Sequence, residues 1–222
     1  MKKVILFTIL MGTILAFVIF KWVYHEDIII VTLGDSLSLG YTAYDVKGYS
    51  YNDYLRDDYE ENFHIEEYIT EFSYPEETSQ TLLLKLKNNY VIEGTELSIT
   101  QAIAKSKILT IALGMVEFNQ KEIKREDIEE YLNNMEKIIK LIRIHQKKEV
   151  FLISLYETER IKKSYLKEIN ERLKELCKAS HLHFIDIEDL NSKSEYFFDN
   201  KSYLINYKGQ REIYRRIMKE LK

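Results

Sequence analysis

Ser36 stands in the run Leu33-Gly34-Asp35-Ser36-Leu37-Ser38, directly behind the apolar stretch Ile28-Ile29-Ile30-Val31. This reads as a buried strand that ends in a glycine turn and holds up a serine hydroxyl at its tip. The N–H groups that open the next helix would face the same small volume, where an oxyanion could be held. Such an arrangement suits acyl transfer, with Ser36 as nucleophile. An Asp-Ser pair is also a good cap for a first helix, which needs no chemistry at all.

The elements that must position the serine follow from hydrophobic period. Strand-like runs at Asp27–Leu33, Phe63–Phe72, Ile108–Leu113, Glu149–Ser154 and His183–Ile187 alternate with amphipathic helical stretches. That alternation predicts an α/β fold, a parallel sheet wrapped by helices, with active groups at the carboxyl ends of its strands. Ile128, Leu132, Met135, Ile139 and Ile142 mark one helix, Tyr165, Ile169, Leu173 and Leu176 another, and Ile213, Ile217 and Leu221 a last one. The tyrosine-containing acidic stretch from Tyr41 to Asn62 is expected to cross the carboxyl edge into the first of the long helices.

The strand–GDSLS unit resembles the nucleophile block of the SGNH/GDSL hydrolases, serine esterases and acylhydrolases, and the resemblance runs through nearly the whole body. Gly34, Gly40, Gly114 and Gly209 fall where that family places glycines. The resemblance implies a three-layer α/β/α sandwich around a five-stranded parallel sheet, similar to flavodoxin. It also implies an oxyanion hole made by the serine N–H, a glycine and an asparagine, with a histidine base oriented by an aspartate. This chain departs from that pattern. Val116 stands at the asparagine position of Gly114-Met115-Val116-Glu117, and anchoring on Asn206 and Gly209 puts Leu204 at the histidine position and Lys201 at the aspartate position. In the second block the glycine position falls near Glu76.

Valine has no donor, and losing one oxyanion donor costs on the order of 10²–10³ in rate. Leucine cannot take a proton, and loss of the base costs on the order of 10⁶ in a serine protease. The histidines that remain, at 25, 64, 145, 181 and 183, fall at strand entrances, a helix end or the membrane exit. The expectation is therefore a catalytically impaired, SGNH-like module that keeps Ser36, Asp35 and Gly34 and binds a glycan, lipid or protein ligand in the cleft. The alternative is an active esterase on acyl or acetyl esters with a non-standard base such as Asp35, Glu76, Glu117 or Asp199, Asn119 replacing the missing amide.

Composition bounds the rest. With 45% hydrophobic residues and a net charge of −4 spread over both signs, a sizeable core is expected and a nucleic-acid partner is not. A single cysteine, Cys177, excludes an intrachain disulfide, and its apolar helical position predicts a buried, inert thiol. His181-x-His183 with Asp186 looks ligand-like, but alternation along a strand puts Asp186 on the opposite face; no metal and no cofactor are expected.

At the amino end, Lys2 and Lys3 precede an uncharged apolar run from Val4 to Phe20, followed by Lys21, Trp22 and Tyr24. Snorkelling lysines and interfacial aromatics let a run of that length cross a bilayer. Without a small-x-small cleavage site, residues 1–24 read as an uncleaved anchor with a cytoplasmic amino end. Residues 25–222 would then form one domain outside the membrane.

Overall fold

The apolar runs of the sequence become the middle of one sheet. In the computed structural model, which describes residues 11–13, 28–62, 65–119, 122–146, 148–198 and 204–221, every residue of β1 (Ile28–Gly34) and β3 (Ile108–Ala112) is buried. β4 (Glu149–Ile153) follows the same pattern after its first residue. Strands covered on both faces read as continuous aliphatic runs, as these do. β2 (Ile65–Ile69) and β5 (His183–Ile185) form the edges, so the order is β2-β1-β3-β4-β5, parallel throughout.

Helices α1 (Ser36–Leu39), α2 (Tyr51–Asn62), α3 (Ser79–Lys87), α4 (Ile99–Lys105), α5 (Met115–Asn119), α6 (Arg125–His145), α7 (Lys163–Ser180) and α8 (Tyr207–Glu220) connect and cover the strands. The chain steps one way from β1 to β2 and the other way from β1 through β3 to β5. Right-handed crossovers therefore put α2 on the face opposite the helices of the later connections. Accordingly α2 packs on α8, while α6 packs against α3, α4 and α7. This is the expected five-stranded α/β sandwich.

Expected strand limits hold to within two residues on β1, β3, β4 and β5. β5 stops at Ile185 because Ile187 turns its N–H to Ser154 Oγ at 2.8 Å and a 3₁₀ turn, Glu188–Ser192, begins. Between α3 and α4, where the sequence shows no periodicity, an antiparallel bridge between Val91 and Ser98 closes a small loop. Cys177 is buried, as expected, and burial pushes its thiol up to about 12. Of the expected anchor only Met11–Thr13, which are helical, are described; its remaining residues lie outside the described residues. Among the described residues no helix is long and apolar enough to cross a membrane.

Candidate active site

The turn that carries Ser36 is fixed by the neighbouring strand. Gly34 lies opposite Ala112 with φ of +144°, and a Cβ there would sit 1.9 Å from the Ala112 carbonyl oxygen. Only glycine lets β1 end so close to β3. Asp35 then donates its N–H to that same carbonyl at 3.0 Å.

The Asp35 side chain, fully buried, ties two turns together. Oδ1 accepts the Leu37 N–H at 3.0 Å and so caps α1, while Oδ2 accepts the N–H groups of Gly114 and Val116 at 3.2 and 3.3 Å. Burial raises its pKa to about 7 against the pull of these donors. Through these three bonds it holds the turn after β1 to the turn after β3. Of the Asp-Ser pair, Asp35 is the residue that caps the helix.

Ser36 is 7% exposed, and its Oγ is the one buried side-chain polar atom among the described residues that has no hydrogen-bond partner. Its N–H is engaged, donating to the Pro75 carbonyl at 3.1 Å. The segment around Pro75 is laid across the end of β1: Tyr74 donates its N–H to the Gly34 carbonyl at 3.1 Å and Ser73 Oγ donates to the Thr32 carbonyl at 2.9 Å. The backbone N–H groups of 36, 37, 114 and 116 thus all have internal acceptors.

The other sequence candidates scatter. Val116 is buried in the first turn of α5, close enough to Ser36 for both turns to share Asp35. Glu117 is turned to α3, where its two oxygens accept the Ser79 N–H at 2.8 Å and the Ser79 hydroxyl at 2.9 Å. Asn119 spends its amide on the Met115 carbonyl of its own helix at 2.6 Å. Glu76 is exposed, and Leu204 is half-buried. Asp199 and Lys201 lie outside the described residues, as do His25 and His64.

The three described histidines stand at the amino edge of the sheet. His145 ends α6, His181 is the left-handed C-cap of α7, and His183 opens β5 with Nε2 2.6 Å from Glu149. A seven-residue strand spans ~20 Å, whereas a base must come within about 3.2 Å of the hydroxyl. These histidines cannot serve Ser36. No group of three or more metal-ligating side chains occurs among the described residues.

Several residues that hold the site carried no signal in the sequence. Ser38 Oγ donates between the carbonyls of Leu33 and Ala112, at 3.3 Å to each. Asn52 joins Thr32 and Thr110 of the paired strands and donates to the Ser38 carbonyl at 3.0 Å. Gln210 of α8 accepts the Tyr51 N–H at 3.0 Å and donates to the Leu37 carbonyl at 3.3 Å, tying α1, α2 and α8 together. Buried Ser, Thr, Asn and Gln inside apolar or amphipathic stretches were the only available hint, and they name no partner.

The model of the GDSL-like lipase/acylhydrolase family matches residues 30–215. No curated protein matches the sequence. Among solved structures, a lipase/acylhydrolase from Enterococcus faecalis is similar at 18% identity, over 87% of this chain and 95% of that one, with a TM-score of 0.65. A psychrotrophic esterase from Pseudoalteromonas sp. aligns at 19% identity over 88% and 97% of the two chains, with a TM-score of 0.63. A catalytic mutant of an acetylxylan esterase from Geobacillus stearothermophilus aligns at 11% identity over 89% and 96%, with a TM-score of 0.65. At these identities the structures share the fold alone. The family model, in contrast, spans most of the sequence and includes the Ser36 turn: the chain belongs to the GDSL-like lipase/acylhydrolase family.

Proposed function

We propose that this protein acts on acyl esters at Ser36, as an esterase or acylhydrolase whose base is not one of the described histidines. The observation that carries the reading is the Ser36 hydroxyl itself, buried at the carboxyl end of β1 and without a partner. A buried polar group left unpaired costs about 1–3 kcal/mol. Asp35 already caps the helix, so the hydroxyl is not spent on holding the fold.

In acyl transfer Ser36 Oγ would attack the ester carbonyl carbon and pass its proton to the base, and the leaving alcohol would depart with a proton. Water would then attack the acyl-serine, releasing the carboxylic acid and restoring the hydroxyl. Asp35 and Glu117 are committed to other donors, which leaves the exposed Glu76 and Asp199; Asp199, beside the expected base block, is the carboxylate to test first. The apolar run 4–20 would tether this activity to a membrane, with the amino end cytoplasmic and acyl or acetyl esters of the cell envelope as substrates.

The test is labelling of the full chain in detergent with a fluorophosphonate, beside Ser36→Ala and Asp199→Asn. Adduct on Ser36, absent from Ser36→Ala and slowed at least ~100-fold in Asp199→Asn, is the expected result. A folded protein that acquires no adduct, and hydrolyses no ester in a broad panel, overturns the proposal.

One observation favours a second reading, a ligand-binding module without turnover. The Ser36 N–H, which an oxyanion would need, is held by the Pro75 carbonyl, and Val116 offers only a backbone N–H that Asp35 takes. On that reading a non-hydrolysable ester or an acetylated glycan binds with the same affinity to the native protein and to a variant that has lost all labelling.

A further inference from the structure

We propose that the amino edge of the sheet, on its α6–α7 side, is a docking face for an anionic lipid bilayer. Parallel pairing brings the entrances of β3, β4 and β5 to one edge of the molecule. The connections that end there are rich in cations: Lys105 closes α4, Lys107 leads into β3, Arg143 lies in the last turn of α6 and Lys148 leads into β4. Lys140, Arg143, Ile144 and Lys148 border a cleft of about 720 Å³ together with the Glu149–His183 pair.

Ile144 is 64% exposed in the midst of these charges. An apolar side chain ringed by cations suits a bilayer better than a soluble polyanion, because it can enter the acyl boundary while the lysines meet phosphates. The patch is held rigid from below: Arg143 donates to the carbonyls of Ser180, Gln146 and Lys148, and also to that of His181.

Two carboxylates lie on the face itself, and both are paired there. Glu149 is bound to His183 and Glu136 to Lys140. The acidic cluster Asp57, Asp58, Glu60 and Glu61 sits at the end of α2, in the other helical layer. The edge is thus polarised, cationic on the α6–α7 side and anionic on the α2 side.

Chain entry points to the same partner. β1 begins at Ile28 on this edge, and residues 21–27, fully extended, reach at most ~24 Å from the apolar run 4–20. This supporting argument rests on the anchor reading proposed above; the charge and exposure of the patch do not.

The test places an environment-sensitive fluorophore at Ile144→Cys in the full chain, where Cys177 is buried and stays unlabelled. Val46→Cys, exposed on the loop after α1, is the control. In nanodiscs containing phosphatidylglycerol the Ile144 probe is expected to shift to the blue while the Val46 probe does not, and 0.5 M salt is expected to reverse the shift. Lys105→Gln and Lys148→Gln should each diminish the blue shift of the Ile144 probe in phosphatidylglycerol nanodiscs.

No shift in an incorporated protein overturns the proposal. An equal shift in phosphatidylcholine overturns it too, since tethering alone would explain it. Failure of the full chain to enter nanodiscs would sink the anchor reading, and salt-sensitive sedimentation with anionic vesicles then decides the docking face by itself.

Discussion

Asp35 and Ser36 are neighbours with opposite hydrogen-bond economies. Asp35 accepts three backbone N–H groups, and Ser36 Oγ meets no partner. Ser36→Ala is therefore expected to leave stability unchanged or raise it by up to ~1 kcal/mol, while removing fluorophosphonate labelling. Urea unfolding checks the first half, and a loss above ~1 kcal/mol would mean that the hydroxyl has a structural partner after all. Asp35→Asn should do the reverse. Its amide nitrogen would face the Gly114 and Val116 N–H groups, leaving them unpaired in the core. A loss of about 2–4 kcal/mol is expected from the same measurement. Gly34→Ala should fail to fold, since its Cβ would overlap the Ala112 carbonyl oxygen.

At the scale of elements, what could be read in the sequence was what period and cap chemistry encode. Continuous Ile, Val and Leu at 28–31 and 108–111 mark strands buried on both faces, and the three- and four-residue spacing along α6 and α7 marks their inner stripes. Gly34-Asp35 announced the turn because only a small set of residues can make it. The contacts that build the site were hidden because they join residues far apart by groups with no sequence pattern. The Pro75 carbonyl at the Ser36 N–H is a backbone atom, which any residue would supply.

Glu117 has a structural partner that the sequence did not show. Its place after Gly114 suggested a substitute base, whereas it serves the start of α3. That helix is held by the Thr78 and Thr81 side chains and by the Glu117 carboxylate on Ser79, a negative group at a helix amino end. Glu117→Ala is expected to cost about 1–2 kcal/mol and Glu117→Gln about half that, because the amide keeps one acceptor. Both should retain whatever labelling rate the native protein has. A Glu117→Gln variant that unfolds normally but labels ten-fold slower would return the residue to the chemistry.

For the molecule as a whole, the buried carboxyl predicts the shape of the stability curve. Asp35 is raised from 3.8 to about 7 in the folded state by burial. A raised carboxyl pKa means that the folded state binds the extra proton, so its contribution is complete below the unfolded value and is lost as pH rises through 7. The slope from this one group is at most ~1.4 kcal/mol per pH unit. Asp189, Glu129 and Glu136 act in the opposite sense, held low by Arg216, Arg172 and Lys140, so their contribution disappears only as pH falls through the ordinary carboxylate range. Between pH 5 and 8 those three stay ionised in both states, and Asp35 sets the trend. The urea midpoint of the native protein should fall from pH 5 to pH 8, and Asp35→Asn, weaker throughout, should lose that fall. A midpoint that is level or rising across the interval would mean that Asp35 is already ionised at pH 5. The donors of Leu37, Gly114 and Val116 would then outweigh burial, and a fixed negative charge would stand beside the Ser36 turn.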